Sequence, residues 1–256
     1  MNRSKCKIFD LEYLSGASVC LDWMHSKYLG MDQYLLGSVF FLLVFHIMAN
    51  TPKQNLERCW MYIKKFYKDH KVKHQYRAIS KLSMFTRKTG YAKLRGKAGE
   101  IKGLIRPMLG LFEKFMDRNN EMHKKIKLIL DLHVKIECLI DTYRKHLSMP
   151  KPAADNFVKY ILGVAQLQNQ VAAHFWGQGI KIFSVTAKTH SCVHAALLAH
   201  TLNPAMVWCF SGEDMMRKIQ KLAESCVRGN SWHGTTIKMV AHYRLAMHLQ
   251  FLQHRK

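Results

Sequence analysis

Acidic residues are scarce in this sequence. Its 256 residues include 17 Asp and Glu against 40 Lys and Arg, which gives a formal net charge of +23. Such an excess of positive charge concentrates anions around a protein, so nucleic acid is the first expected partner and an acidic membrane surface the second. Because 48% of the residues are hydrophobic, the composition also excludes a wholly disordered chain.

Paired cysteines and catalytic sequence motifs are also lacking. The seven cysteines form no Cys-x-x-Cys pair and their number is odd, which argues against a disulfide scaffold and for a reducing compartment. The first residues lead into no signal-like apolar segment. Neither a Gly-rich phosphate loop nor a Gly-x-Ser-x-Gly motif occurs, and no small-molecule substrate is evident. We therefore expect an intracellular protein.

No hydrophobic run has the length of an ordinary membrane-spanning helix. The longest apolar stretch, residues 35–49, reads LLGSVFFLLVFHIMA and has 15 residues. A spanning helix needs about 20 apolar residues. Gly37, Ser38 and His46 interrupt this stretch, and Pro52 follows it closely. We predict a buried core helix, with a membrane span as the less favoured alternative.

Helical periodicity dominates the middle of the sequence. One series at spacings of four and three is Met122, Ile126, Ile129, His133, Ile136, Ile140, Tyr143 and Leu147. A second series is Phe157, Ile161, Val164, Gln168, Val171 and Phe175. These spacings place each series on one helix face, and Pro150 and Pro152 break the pattern between them. The sequence predicts a mainly α-helical bundle with a long antiparallel hairpin, residues 120–147 against 153–175, joined by a five-residue turn.

Shorter segments complete the predicted order of elements. We expect short strands at residues 19–21 and 180–185, where apolar residues alternate weakly. A further helix is expected to start at Ser211, with Asp214 as its partner in a capping box. The last helix is predicted over residues 235–252.

The densest basic block lies between Arg58 and Lys102. Fourteen Lys and Arg residues stand there against two acids, Asp69 and Glu100, and aromatic residues are interleaved. Because the charge bias continues from a helix into the following loop, we expect this block to contact phosphates. The predicted contacts are Lys64, Lys65, Lys68, Lys71, Lys73, Arg77, Arg87, Lys88, Arg95 and Lys97. The alternative is a solvated helix face followed by a charged loop.

Two widely separated acids are candidates for binding metal ions. Phosphoryl transfer needs carboxylates that hold divalent ions about 3.5–4 Å apart. Asp22 follows the predicted first strand, His25 lies one turn into the next helix, and Glu213 lies at a later helix start. The alternative is that Asp22 caps its helix and that the helix dipole favours Glu213 in a first turn.

A further group combines two histidines and a cysteine. His190 and His194 are one helical turn apart, and Cys192 lies between them. This spacing suits a transition metal, although zinc takes four ligands. Ordinary packing is therefore the favoured interpretation of these three residues.

Three short segments carry a resemblance to a known family. Residues 20–30 read CLDWMHSKYLG, residues 188–194 read KTHSCVH, and residues 208–213 read WCFSGE. In this order they resemble the Asp-x-Met-His segment, the Lys-x-His-x-x-x-His helix and the last-acid segment of CACTA-type and related cut-and-paste DNA transposases. The resemblance implies an RNase H-like catalytic core with an all-helical insertion between its second and third acids.

The resemblance also implies a division of the chain and a set of site residues. Residues 1–50 would be the remnant of an α/β core, 51–185 a basic helical insertion, and 186–256 a C-terminal helical segment. Asp22 and Glu213 would bind Mg²⁺ or Mn²⁺ within about 10 Å of each other. DNA would be the partner and the nucleus the location. Only 21 residues precede Asp22, and Asp10 is too near to be the first acid, so we expect weak metal binding and no strand transfer.

Two interpretations from other classes stay open. One is a helical nucleic-acid-binding or scaffold protein without catalytic ancestry. The other is a peripheral membrane protein that uses residues 35–49 and the cations. Proximity of Asp22 to Glu213 would favour the transposase interpretation over the first of these, and solubility without detergent would argue against the second. The sequence leaves the oligomeric state open.

Overall fold

A computed structural model describes Glu12, residues 20–227 and residues 232–253 of the chain, the last range without the side chains of Trp232 and Gln250. The chain divides into two compact units, Met1–Trp208 and Cys209–Lys256. Helices account for the regular structure of the described residues, and none of these residues lies in a β-strand. The predicted mainly α-helical fold is confirmed.

Among the described residues, six long helices belong to the first unit and two to the second. Helix α1 runs over Met24–Ile47 and combines π-helical ends with an α-helical centre. The other helices of the first unit are α2 (Pro52–Asp69), α3 (Ala98–Phe115), α4 (Glu121–Thr142), α5 (Lys151–Gly177) and α6 (Ala187–Leu197). The second unit contains α7 (Phe210–Cys226) and α8 (Trp232–Gln253).

Helix α1 is the core helix of the first unit. It has 24 residues and is long and apolar enough to cross a membrane by those criteria alone, but 78% of its most apolar window is buried inside the fold. Leu36, Val39 and Phe40 are fully enclosed. The predicted buried helix over residues 35–49 is therefore present, and it begins eleven residues earlier than predicted.

The turn from α1 to α2 is fixed by local polar contacts. Pro52 occupies the first turn of α2, where its missing N–H costs no helical hydrogen bond. The Thr51 N–H donates to Gln54 Oε1 at 3.2 Å, as in a capping box. The buried Asn55 amide donates to the carbonyls of Val44 and Asn50, which ties the end of α1 to the start of α2.

Helices α4 and α5 form the predicted antiparallel hairpin. Lys125 Nζ on α4 donates to Gln170 Oε1 on α5 at 2.9 Å. Ten residues further along α4, Lys135 lies over the ring of Tyr160, which stands ten residues earlier on α5. Residue numbers therefore rise along α4 where they fall along α5, which shows that the two helices are antiparallel. The series members from Ile126 to Ile140 and from Phe157 to Phe175 point inward, including the fully buried His133.

The connection between α4 and α5 differs from the predicted five-residue turn. Helix α4 ends at Thr142 and α5 begins at Lys151, so eight residues connect them, and Leu147 is 66% exposed. The physical reason lies in the buried Asn203. Its side-chain amide donates to the carbonyls of Tyr143 and His146, and its backbone N–H donates to the carbonyl of Leu147. These bonds satisfy carbonyls that would otherwise need another helical turn.

The two predicted strands are not found. Residues 180–185 form an irregular segment in which the Phe183 N–H donates to Ser38 Oγ of α1 at 2.7 Å. The Lys181 carbonyl accepts the Ala92 N–H at 3.1 Å, but the N–H of Phe183 is taken by a side chain, and the described residues form no regular ladder of strand hydrogen bonds here. For residues 19–21, Val19 lies outside the described residues, and Cys20 and Leu21 are irregular.

The basic loop between α2 and α3 packs closely on α1. The Leu94 N–H donates to the Gln33 carbonyl at 2.9 Å. Gly37 of α1 permits this approach, because a Cβ there would lie 2.5 Å from the backbone nitrogen of Leu94. The loop is therefore held as a layer on the core helix.

The second unit is a pair of helices. Helix α7 begins at Phe210, so Ser211 lies inside the helix and the predicted capping box is wrong. The Asp214 carboxylate instead accepts from Arg217, one turn later, at 2.7 Å. Helix α8 covers the whole of the last predicted helix, residues 235–252.

Candidate functional site

Asp22 lies at the N-terminal end of α1. Its Oδ1 accepts the backbone N–H of Met24 at 2.9 Å, and its carbonyl accepts the N–H of Ser26 at 3.0 Å. These bonds satisfy N–H groups that have no partner within the helix. The predicted alternative, Asp22 as a helix cap, is therefore what the structure contains.

The other carboxylate oxygen of Asp22 contacts His25. Oδ2 is paired with His25 Nδ1, and both side chains are partly exposed. A carboxylate that holds one imidazole nitrogen fixes the orientation of the ring and leaves Nε2 directed elsewhere. The pair offers an oxygen and a nitrogen donor, but a metal ion at Asp22 would have to compete with existing contacts.

Glu213 lies in the first turn of α7, in the second compact unit. Its N–H donates to the Cys209 carbonyl at 2.9 Å, and the carboxylate stands near the positive end of the helix dipole. Asp22 belongs to the first unit. Convergence of the two carboxylates remains a prediction.

All ten predicted phosphate contacts are exposed on the first unit. Within the described part of the chain, none of these ten side chains forms an ion pair with an acid. The two faces of α2 differ, however. Lys65 lines a surface groove of about 820 Å³ beside Glu57 and Asp69, whereas Lys64 and Lys68 do not line it.

The loop cations form a second group around Lys93. This side chain is half-buried over the ring of Tyr34, with Nζ 5.0 Å from the ring centroid. Burial lowers the pKa of Lys93, and the positive charges of Lys188 and Arg87 lower it further. Neither Lys93 nor Lys188 was among the predicted phosphate contacts. Lys93 lies in the loop and Lys188 in α6, and no sequence pattern connects two residues that are 95 positions apart. The crowding of three cations indicates a locally positive potential.

The histidines of α6 are separated from their neighbouring cysteine. His190 Nε2 and His194 Nε2 lie 2.8 Å apart on the exposed face. Cys192 is fully buried, and burial raises the pKa of its thiol to about 12. The three side chains therefore do not converge, in agreement with the packing interpretation.

A buried ionic cluster of Lys27, Asp32, His133 and Glu137 was not predicted. Lys27 Nζ lies 2.7 Å from Asp32 Oδ2 and 2.7 Å from Glu137 Oε1. His133 Nδ1 lies 3.1 Å from Asp32 Oδ1, and the Tyr28 hydroxyl donates to Glu137 at 3.0 Å. All these side chains are enclosed by α1, α3, α4 and α6.

Opposite charges hold Lys27 and Asp32 in their ionised forms. Burial alone would lower the pKa of Lys27, but the carboxylates of Asp32 and Glu137 outweigh it and raise that pKa. Burial would likewise raise the pKa of Asp32, and the ammonium of Lys27 lowers it instead. A buried pair of this kind fixes one arrangement of the helices, because either charge alone would be costly.

His133 makes folding stability dependent on pH. Burial lowers its pKa despite the attraction of Asp32, so the imidazole stays neutral while an unfolded chain protonates near about 6.5. Unfolding therefore takes up a proton below that pH, and the stabilisation is complete above about 6.5 and falls as the pH drops through it. Between pH 6.5 and 5, we expect the free energy of unfolding of the wild type to fall by up to about 1.4 kcal/mol more per pH unit than that of His133→Gln. Denaturant titrations at each pH measure both values.

The control for this measurement is His200→Gln, a substitution of an exposed histidine. If the free energy of unfolding depends on pH in the same way for wild type and His133→Gln, His133 is not the source of the pH dependence.

Comparison with protein-family models, curated proteins and solved structures finds no match to this chain.

Proposed function

We propose that this chain is a transposase-derived DNA-binding protein that attaches to duplex DNA through phosphate contacts, in the nucleus. The observation that carries the proposal is the density of exposed, unpaired cations on α2 and the following loop. Ten exposed Lys and Arg side chains of α2 and the following loop form no ion pair among the described residues. A surface of this kind displaces counterions from a polyanion.

Some cations elsewhere in the first unit are paired with acids. On α4, Lys124 pairs with Glu121, and Lys127 lies between Glu113 and Asp131. Lys102, at the edge of the basic block, pairs with Asp141 at 2.8 Å. Because residues 58–102 carry fourteen cations against two acids, positive potential is concentrated over α2 and its loop.

The descent from a transposase rests on the three sequence segments that resemble that family. Under this part of the proposal, Asp22 and Glu213 would offer carboxylates to Mg²⁺ or Mn²⁺. Both oxygens of Asp22 already accept or pair with neighbours, so metal binding is expected to be weak. We propose no cleavage step for this chain.

Charge reversal at four positions tests the DNA surface. Lys64, Lys65, Lys68 and Lys71 are exposed, and replacing them with Glu should weaken binding to every duplex by on the order of 10²-fold or more at 100 mM salt. The loss should be similar for unrelated sequences, because phosphate contacts carry no base information. Fluorescence anisotropy with labelled random duplexes measures both quantities.

The matched control reverses Lys124, Lys145, Lys151 and Lys159, which are exposed on the α4–α5 hairpin. This variant changes the net charge by the same amount and should retain most of the affinity. Equal losses in the two variants would show that overall charge, and not this surface, determines binding.

A further inference from the structure

An exposed aromatic pair lies at the end of the hairpin. Trp176, in the last turn of α5, is 58% exposed. Its indole ring lies nearly parallel to the ring of Tyr91 in the basic loop, with an interplanar angle of 16° and centroids 6.1 Å apart. Tyr91 thus supports one face of a large apolar ring that remains open to solvent. Aromatic residues in such positions are typical of binding surfaces.

A pocket of about 380 Å³ adjoins this pair. Gly90 and Ala92, the chain neighbours of Tyr91, line it, and so does Gly179, whose N–H donates to the Trp176 carbonyl at 2.9 Å. Both glycines have positive φ, and a Cβ on either would meet no atom within 4 Å. The pocket wall beside the aromatic pair is therefore bare backbone.

Cations and a second aromatic group complete the lining. Arg87 and Lys181 line the pocket from the loop and from the segment after α5. Phe41 and His46 of α1 also line it, and their rings lie 5.5 Å apart. Among the described residues, no acidic side chain lines this pocket. The lining consequently combines ring faces with positive charge and lacks a carboxylate that would repel phosphate.

We propose that the Trp176–Tyr91 pair and the adjoining pocket bind single-stranded nucleic acid, with an unpaired base stacked on Trp176 and its phosphates on Arg87 and Lys181. Base stacking on aromatic side chains beside a positively charged groove is how sequence-tolerant single-strand binding works. This inference rests on the proposed function, because both use the basic loop, and it names a substrate class that phosphate contacts alone do not select.

Duplex DNA fits this feature less well than a single strand. In a duplex each base face is covered by its neighbours, so the open face of Trp176 would gain no stacking partner. An unpaired base exposes its face, and every base has one, which makes the contact independent of sequence. The pair should therefore add affinity for single strands on top of the general charge attraction.

The test uses the full chain at one fixed salt concentration. Anisotropy titrations compare a labelled 16-nucleotide oligothymidylate with a random 16-base-pair duplex, for wild type and Trp176→Ala. Loss of one stacked base should weaken single-strand binding about 5- to 150-fold and leave duplex binding unchanged. Trp176→Phe should restore part of the loss, because a smaller ring still stacks.

Leu162→Ala is the matched control, since Leu162 is an exposed apolar residue of the same helix, distant from the pair. Wild type that binds duplex, together with unchanged single-strand affinity in Trp176→Ala, would overturn this inference alone. Equal loss for both probes would overturn it as well, because the contact would then not select single strands. A wild-type protein that binds neither probe would overturn the proposed function and this inference together.

Discussion

Affinity for a random DNA duplex is expected to fall by roughly 10³–10⁵ when the salt concentration rises from 50 to 200 mM, provided that six to ten cations touch phosphate. Each neutralised phosphate releases counterions, and each contact adds about 0.9 to the slope of log affinity against log salt. The exposed and uncompensated cations of α2 and its loop supply ten candidates for these contacts.

The slope can be measured by anisotropy at four or five salt concentrations. Reversing Lys64, Lys65, Lys68 and Lys71 should reduce the slope by up to about 3.6, which is the share of four contacts. The control reversal of the α4–α5 hairpin should leave it near the wild-type value. A flat response in the wild-type protein would indicate a merely solvated basic surface and would contradict the proposed function.

Replacing Lys27 with Met is expected to destabilise the fold by about 3–5 kcal/mol. Met has a similar length, but the variant leaves Asp32 and Glu137 enclosed without the ammonium that lies 2.7 Å from each. A loss of that size is a large part of the roughly 5–15 kcal/mol that stabilises an ordinary domain. Denaturant unfolding followed by circular dichroism measures it.

The double variant Lys27→Met, Glu137→Gln separates charge from packing. Removing the charge of one carboxylate that has lost its ammonium partner should recover part of the loss, and the two substitutions should therefore not be additive. The exposed pair Lys124 and Glu121 provides the control, because Lys124→Met should change stability by less than about 1 kcal/mol. A similar small effect at Lys27 would show that the cluster does not stabilise the fold.

The hairpin could be predicted from sequence because its signal is local and repeated. Each heptad position from Ile126 to Ile140 carries a side chain that the structure buries, and the same holds from Phe157 to Phe175. Even the polar members His133 and Gln168 are fully buried, since the spacing outweighs their polarity. The connection could not be predicted, because Asn203 acts on it from about sixty residues away.

The candidate surfaces also include one part that could be predicted from sequence and others that could not. The exposure of the basic block could be predicted from composition. Lysines and arginines are rarely buried unless an acid pairs with them, and this block has too few acids. The pairing of Tyr91 with Trp176 joins a loop to a helix end 85 residues later, and no periodicity connects them. The contact of Lys27 with Asp32 could not be predicted for another reason. In a regular α-helix, a spacing of five residues places two side chains about 140° apart around the helix axis, so they do not meet.

The π-helical start of α1 constrains which changes of chain length the protein tolerates. Hydrogen bonding of the i→i+5 type over Met24–Asp32 lets Lys27 and Asp32 share a face. Deleting one residue between them would restore four-residue spacing, but it would also turn everything before the deletion by about 100° relative to the rest of α1. Trp23 and Met24, both fully buried, would then leave their places in the core. Point substitutions at its two partly exposed positions, His25 and Leu29, should therefore be tolerated much more readily than any single-residue deletion or insertion within the segment.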